Sequence, residues 1–151
     1  MTALAKTEDK SQKQYPKISI LFVDDDKIAQ TLMVKFLIDW NIECVSSGEE
    51  ALEKMEEKNY AVVLLDYQMP GMDGIQLLEK IKIRHSMVQV IMLTSSDEID
   101  TLVTSLSKGA DDFILKPVKK ETLFKVLGNT CGKITRWAGV MKTLYKKKHE
   151  G

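Results

Sequence analysis

The chain has 151 residues, 44% hydrophobic and 29% charged, enough for one ordinary globular domain with short tails and too few for two. Its longest apolar runs, Ile18 to Val23 and Ala61 to Leu65, fall far short of a bilayer span, and the leading MTALAKTEDKSQKQYPK lacks the apolar core and cleavage site of a secretory signal. A cytoplasmic protein is expected. The formal net charge of +0 conceals an acidic body, 13 basic against 19 acidic side chains over residues 17 to 132, and a basic end, 6 against 1 over residues 133 to 151, which argues against a nucleic-acid-binding domain.

Residues 1–16 are polar and without periodicity and are expected to form a disordered leader. After Pro16, β-branched apolar runs alternate with stretches of helical period: ISILFV, IAQTLMVKFLIDW, IECV, GEEALEKMEEK, AVVLLD, GIQLLEKIKIR, VQVIMLT, DEIDTLVTSLSKG, DFILK and KKETLFKVLG. Five strand-helix repeats predict a parallel sheet covered by helices on both faces. The runs Ala61 to Leu65 and Val88 to Thr94 are apolar almost throughout and therefore central, so the middle of the sheet is strands one, three and four. Ser47 with Glu50 reads as a capping-box pair opening the second helix, and Gly109 marks the end of the fourth. Ile28, Leu32, Phe36 and Trp40 form one expected core stripe, and Ile75, Leu78 and Ile81 another. Cys44 and Cys131 stand far apart with no Cys or His at ligand spacing, so buried free thiols are expected rather than a disulfide or a zinc site.

In open parallel sheets, ligands bind beyond the carboxyl ends of the strands. At those ends stand Asp24, Asp25 and Asp26 after the first strand, Asp66 after the third, Thr94 and Ser95 after the fourth, and Lys116 with Pro117 after the fifth. An acidic triplet alone is equally well explained by turn formation and helix capping. In combination, carboxylates converging from adjacent strands repel one another unless a cation sits among them, and an all-oxygen ligand set suits Mg²⁺. Lys116 adds a second positive charge, and the Thr94 hydroxyl can donate to an oxygen above Asp66. The set fits phosphoryl transfer to a carboxylate, with Asp66 as nucleophile. A structural ion pair between Lys116 and Asp66 is the plainer account of the lysine, and both can hold.

The segments ILFVDDDKIAQTLM, VVLLDYQMPGMDG, VIMLTSSDE and GADDFILKPV resemble, in order and spacing, the motifs of the response regulator receiver domains of bacterial two-component systems, the chemotaxis regulators among them. The resemblance spans about residues 17 to 131. It implies an α/β fold, flavodoxin-like and doubly wound: a (βα)5 unit with a five-stranded parallel sheet of order 2-1-3-4-5; the residues beyond it read, by their own pattern, as an added C-terminal amphipathic helix. By the same resemblance Asp66 is the phosphoacceptor, while Asp24, Asp25, Asp66 and the backbone carbonyl of Gln68 hold Mg²⁺. Lys116 and Thr94 contact the phosphoryl group, the Lys116-Pro117 bond is cis, and Pro70 and Gly71 shape the loop after Asp66. Thr94 and Phe113 form the switch pair, Gln68 and Ser96 occupy positions that tune phosphoryl lifetime, and Asp26 receives no catalytic role.

After a fifth helix expected to fray near Gly128 or Gly132, residues 133–151 form a basic amphipathic segment with Ile134, Trp137, Ala138, Met141, Leu144 and Tyr145 on one stripe. It could pack on the body, pair with a second copy, begin a linker to an output domain, or lie on a membrane surface. Nineteen residues are too few for a DNA-binding module. The function expected is a phosphorylation-controlled interaction switch rather than a metabolic enzyme. Its partners would be a sensor histidine kinase or phosphotransfer protein, and a downstream protein or output domain reached through the fourth helix, fifth strand and fifth helix, with pairing of two copies on phosphorylation. A phosphorylation-independent scaffold is disfavoured by the complete charge cluster. An aspartyl-phosphate phosphatase is disfavoured by Gln68, which stands where a second Asp would serve as general acid.

Overall fold

The computed structural model describes residues 18–95 and 99–150. The leader and Ser96 lie outside the described residues. The elements alternate as anticipated: β1 (Ser19–Val23), α1 (Lys27–Phe36), β2 (Asn41–Val45), α2 (Gly48–Glu57), β3 (Val62–Asp66), α3 (Gly74–Arg84), β4 (Gln89–Thr94), α4 (Ile99–Ser107), β5 (Asp112–Leu115) and α5 (Lys120–Glu150). The strands form one parallel sheet in the order β2-β1-β3-β4-β5. Every residue of β3 and β4 is buried, which is why those two strands read as apolar almost throughout, with polar residues only at their ends.

Alternation along the strands divides the core in two. Leu21, Val23, Val63, Leu65, Val90 and Met92 face α2 and α3, meeting Ala51, Met55, Leu77, Leu78 and Ile81. Ile20, Phe22, Val62, Leu64, Ile91 and Leu93 face α1 and α5, meeting Met33, Leu37, Leu123 and Leu127. Both cysteines are free, Cys44 half-buried and Cys131 buried, and burial pushes both thiols above their ordinary range.

Three local expectations are revised. The α1 stripe is not all core: Ile28 is 79% and Leu32 46% exposed, while Met33 and Leu37 are buried and Phe36 and Trp40 pack from the edge. The face that docks is the neighbouring row, Ala29, Met33 and Leu37, at the same four-residue spacing but one position, about 100°, further round the helix. At α2, the Ser47 hydroxyl accepts from the Glu50 amide at 3.1 Å, but Glu50 accepts from the amide of Ser46, one residue earlier than a reciprocal box requires. A complete capping box opens α3 instead, between Asp73 and Gln76. Finally, α5 does not break at Gly128 or Gly132 but runs 31 residues to Glu150. A helical glycine costs about 1 kcal/mol, and the burial of Leu123, Leu127, Thr130 and Cys131 outweighs it.

Candidate functional site

The parallel register brings the carboxyl ends of β1, β3, β4 and β5 to one edge of the sheet: Val23 lies beside Leu65, Asp66 beside Leu93, and Thr94 beside Leu115. The chain then leaves β1 through three consecutive aspartates with different fates. Asp24 is buried, at 4% exposed; its amide donates to the Val45 carbonyl at 3.1 Å and its Oδ1 accepts from the Asp26 amide at 2.9 Å. Asp25 is exposed. Asp26 turns away to cap α1, accepting from the Ile28 amide at 2.9 Å, a structural role that accounts for it fully.

Asp66, also 4% exposed, ends β3. Its Oδ1 accepts a charge-assisted hydrogen bond from the Lys116 ammonium at 2.5 Å. The Lys116-Pro117 bond is cis, and the Lys116 amide donates to the Thr94 carbonyl at 2.8 Å, tying the β5 end to the β4 end. Carboxylate oxygens of Asp24, Asp25 and Asp66 lie within 4.8 Å of one another. Burial, and then the Asp66 and Asp25 charges, push the Asp24 carboxyl up to about 6, against the pull of the Asp26 amide and Lys116. Two acids at 4% exposure beside a third, offering oxygens only, form a cluster that fits a small divalent cation: the ion would relieve the repulsion that raises Asp24.

The loop after Asp66 closes back on the strand end. Gly71 adopts φ +82°, a left-handed turn natural to glycine. At Gly74, whose amide donates to the Tyr67 carbonyl at 3.1 Å, an added Cβ would meet the Tyr67 Cα at 2.8 Å and the Asp66 carbonyl oxygen at 2.9 Å. Only a glycine lets α3 start this close to the acidic edge. Gln68 stands exposed two residues beyond Asp66. Thr94 is buried. Phe113, paired with Met92, is half-buried against the core that contains Leu65 and Met92.

Two features escaped the sequence reading. Gln30 donates from Nε2 to the Asp24 carbonyl at 2.7 Å and also reaches the Val45 carbonyl and the Ser46 hydroxyl at 3.2 Å, lacing the acidic loop to β2. Nothing in the spacing of one polar helical residue announces this. Beside the acids lies a cavity of about 350 Å³ between α1 and the β5–α5 loop, walled by apolar residues including Leu32, Met33, Phe36, Pro117 and Val118 and reaching Asp66 and Lys116.

This arrangement meets known proteins closely. Residues 20–128 match the model of the response regulator receiver domain. The chain belongs to that family. Among curated relatives, this receiver is 37% identical over 120 residues to the transcriptional regulatory protein ZraR of Salmonella typhimurium, covering 76% of this chain and 27% of that protein. It is 39% identical over 110 residues to the transcriptional regulatory protein SrrA of Staphylococcus aureus, covering 71% and 45%. The chain thus spans less than half the length of these relatives. Among solved structures, NtrX from Brucella abortus aligns with a TM-score of 0.77 at 29% identity, over 83% of this chain and 30% of that one. A CheY-like receiver domain protein from Methanospirillum hungatei aligns with a TM-score of 0.76 at 28% identity, over 80% and 98%. A receiver is the phosphoacceptor module of two-component signalling, and the Asp24, Asp25 and Asp66 cluster is typical of its Mg²⁺ site.

Proposed function

We propose that this receiver is a phosphorylation-controlled switch in which Asp66 accepts the phosphoryl group of a phosphohistidine on a sensor histidine kinase or phosphotransfer protein. The observation that carries the reading is the buried Asp66 carboxylate, held by Lys116 and set among Asp24 and Asp25. An Asp66 oxygen attacks phosphorus, the phosphorus–nitrogen bond of the donor breaks, and the imidazole departs with the electron pair and takes a proton. Asp24, Asp25, Asp66 and the Gln68 carbonyl would hold Mg²⁺, which when bound offsets charge on the phosphoryl oxygens. The Lys116 ammonium, which neutralises Asp66 beforehand, then pairs with a phosphoryl oxygen.

The apolar rim of the cleft, with exposed Ile28 and Leu32, supports donor docking on α1 beside Asp66. For output, Thr94 donates its hydroxyl to the new phosphoryl group and Phe113 turns inward into the space released, altering the surface of α4, β5 and α5 toward a downstream protein, an output domain or a second copy. Gln68 and Ser96 tune how long the adduct lasts: exchanging Gln68 for another polar residue changes its lifetime without preventing its formation.

The test is incubation with Mg²⁺ and acetyl phosphate, followed by intact-mass analysis. The expected product carries one phosphoryl group, stable in acid and labile in base, and is absent without Mg²⁺ and from Asp66→Asn. A wild-type protein that never gains the mass, or an Asp66→Asn variant that gains it equally, would overturn this reading, the first outcome in favour of the scaffold.

A further inference from the structure

The stripe by which α5 grips the sheet continues past the point where the sheet ends. Leu123, Leu127 and Thr130 are buried, and the same alternation of four and three residues proceeds to Ile134, Trp137, Met141 and Leu144. Ile134 still touches the core and Trp137 is half-buried. From Ala138 to Glu150 every side chain is exposed, including Met141 at 51% and Leu144 at 60%, flanked by Val140 and Tyr145. Steps of four and three average 3.5 residues, the period of a seam between supercoiled helices. Beyond the sheet this part of α5 has no packing to support it, and most helical stability comes from packing of an amphipathic face, so its apolar stripe suits a partner helix.

We infer that residues 133–147 pair in parallel with the same segment of a second copy of this chain, forming a short two-stranded coiled coil that needs no phosphorylation. In register, Ile134, Trp137, Met141 and Leu144 each meet their own counterparts. The flanking positions that cross between the helices pair Lys133 with Ala138 and Val140 with Tyr145, so neither crossing pair sets two charges together. A foreign acidic helix would be matched by lysines at all of those positions; with Ala138, Val140 and Tyr145 at three of the four, they suit a copy. Arg136, Lys142 and Lys146 fall on the outer face, and Lys148, at the next seam position, sets two ammonium groups together and ends the coil. With 6 basic side chains and 1 acidic over residues 133 to 151, the two helices repel at long range, and salt strengthens the pairing by screening.

The test is sedimentation equilibrium of the full, unphosphorylated chain from micromolar to submillimolar concentration at low and high salt. Expected is reversible dimerisation that tightens with salt and weakens at least about tenfold in the double variant Met141→Glu, Leu144→Glu, whose body keeps its thermal midpoint. Leu144→Cys should form an interchain disulfide faster than Thr143→Cys, which lies off the seam. A chain that stays monomeric throughout, a dimer indifferent to the double variant, or equal cross-linking at the two positions overturns the inference. So does a monomer that sediments with phosphatidylserine vesicles at low salt through this same face, which would make it a membrane-surface helix.

Discussion

Asp24 carries the largest electrostatic burden in the site. Folding raises its carboxyl from 3.8 to about 6, so the metal-free folded state holds the proton more tightly than the unfolded chain does. Ionising Asp24 therefore opposes folding; the cost is absent below about pH 4, grows through the interval, and is complete above about pH 6. Asp24→Asn should consequently stabilise the metal-free protein by about 1–3 kcal/mol at pH 7.5, with the gain vanishing toward pH 4, as followed by thermal melts across that range. The same variant should lose most of the Mg²⁺-dependent rise in melting temperature, because one carboxylate of the cluster is gone. A melting temperature unchanged by the substitution at both ends of the range would mean that neighbouring amides, rather than burial, govern this group. Gly74 presents a steric counterpart. Gly74→Ala drives a methyl into the Tyr67 backbone and the Asp66 carbonyl, and should destabilise the fold by about 1–3 kcal/mol in urea titrations, because backbone has no rotamer through which to yield.

Among the elements, α1 and α5 each use one face for the core and keep apolar residues in reserve. On α1, Leu32 is nearly half exposed beside the cleft that reaches Asp66. Leu32→Glu should slow phosphoryl transfer from a cognate kinase by about tenfold or more, while the rate with acetyl phosphate, which needs no docking, changes little. Equal losses with both donors would place Leu32 in the structure of the site rather than in recognition. On α5, Gly132 is helical and exposed, and a Cβ there meets nothing within 4 Å. Gly132→Ala should stabilise the chain by about 0.5–1 kcal/mol in denaturant titrations by removing unfolded-state entropy. A loss of stability would show that the helix does not persist through this point in solution.

At the scale of the whole molecule, the parallel sheet gathers side chains from four strands at one edge, and β5 carries both a site residue, Lys116, at its end and the proposed switch residue, Phe113, in its middle. Phosphorylation should therefore alter hydrogen exchange in β5 and α4, measured by mass spectrometry with acetyl phosphate and Mg²⁺. Thr94→Ala should gain the phosphoryl group while muting that change. An identical exchange response in Thr94→Ala would remove the threonine from the coupling. Among the described residues, no helix is long and apolar enough to cross a membrane.

Local chemistry alone determined much of this protein. The alternation of apolar runs and helical periods, the nearly continuous apolarity of β3 and β4, and the polar residues at successive strand ends were all legible because each depends on near neighbours in the chain. Asp24, Asp25 and Asp66 could be named in advance because a carboxylate at a strand end is a local feature, and parallel order carries such ends to one edge. Only the tertiary structure decided which face of α1 is buried, since a stripe of apolar residues does not say where the helix meets the sheet. It alone revealed Gln30 bracing the acidic loop, and it carried α5 through two glycines whose local cost is outweighed by side chains packed against strands distant in sequence. These outcomes depend on contacts between residues far apart along the chain, and no local pattern contains them.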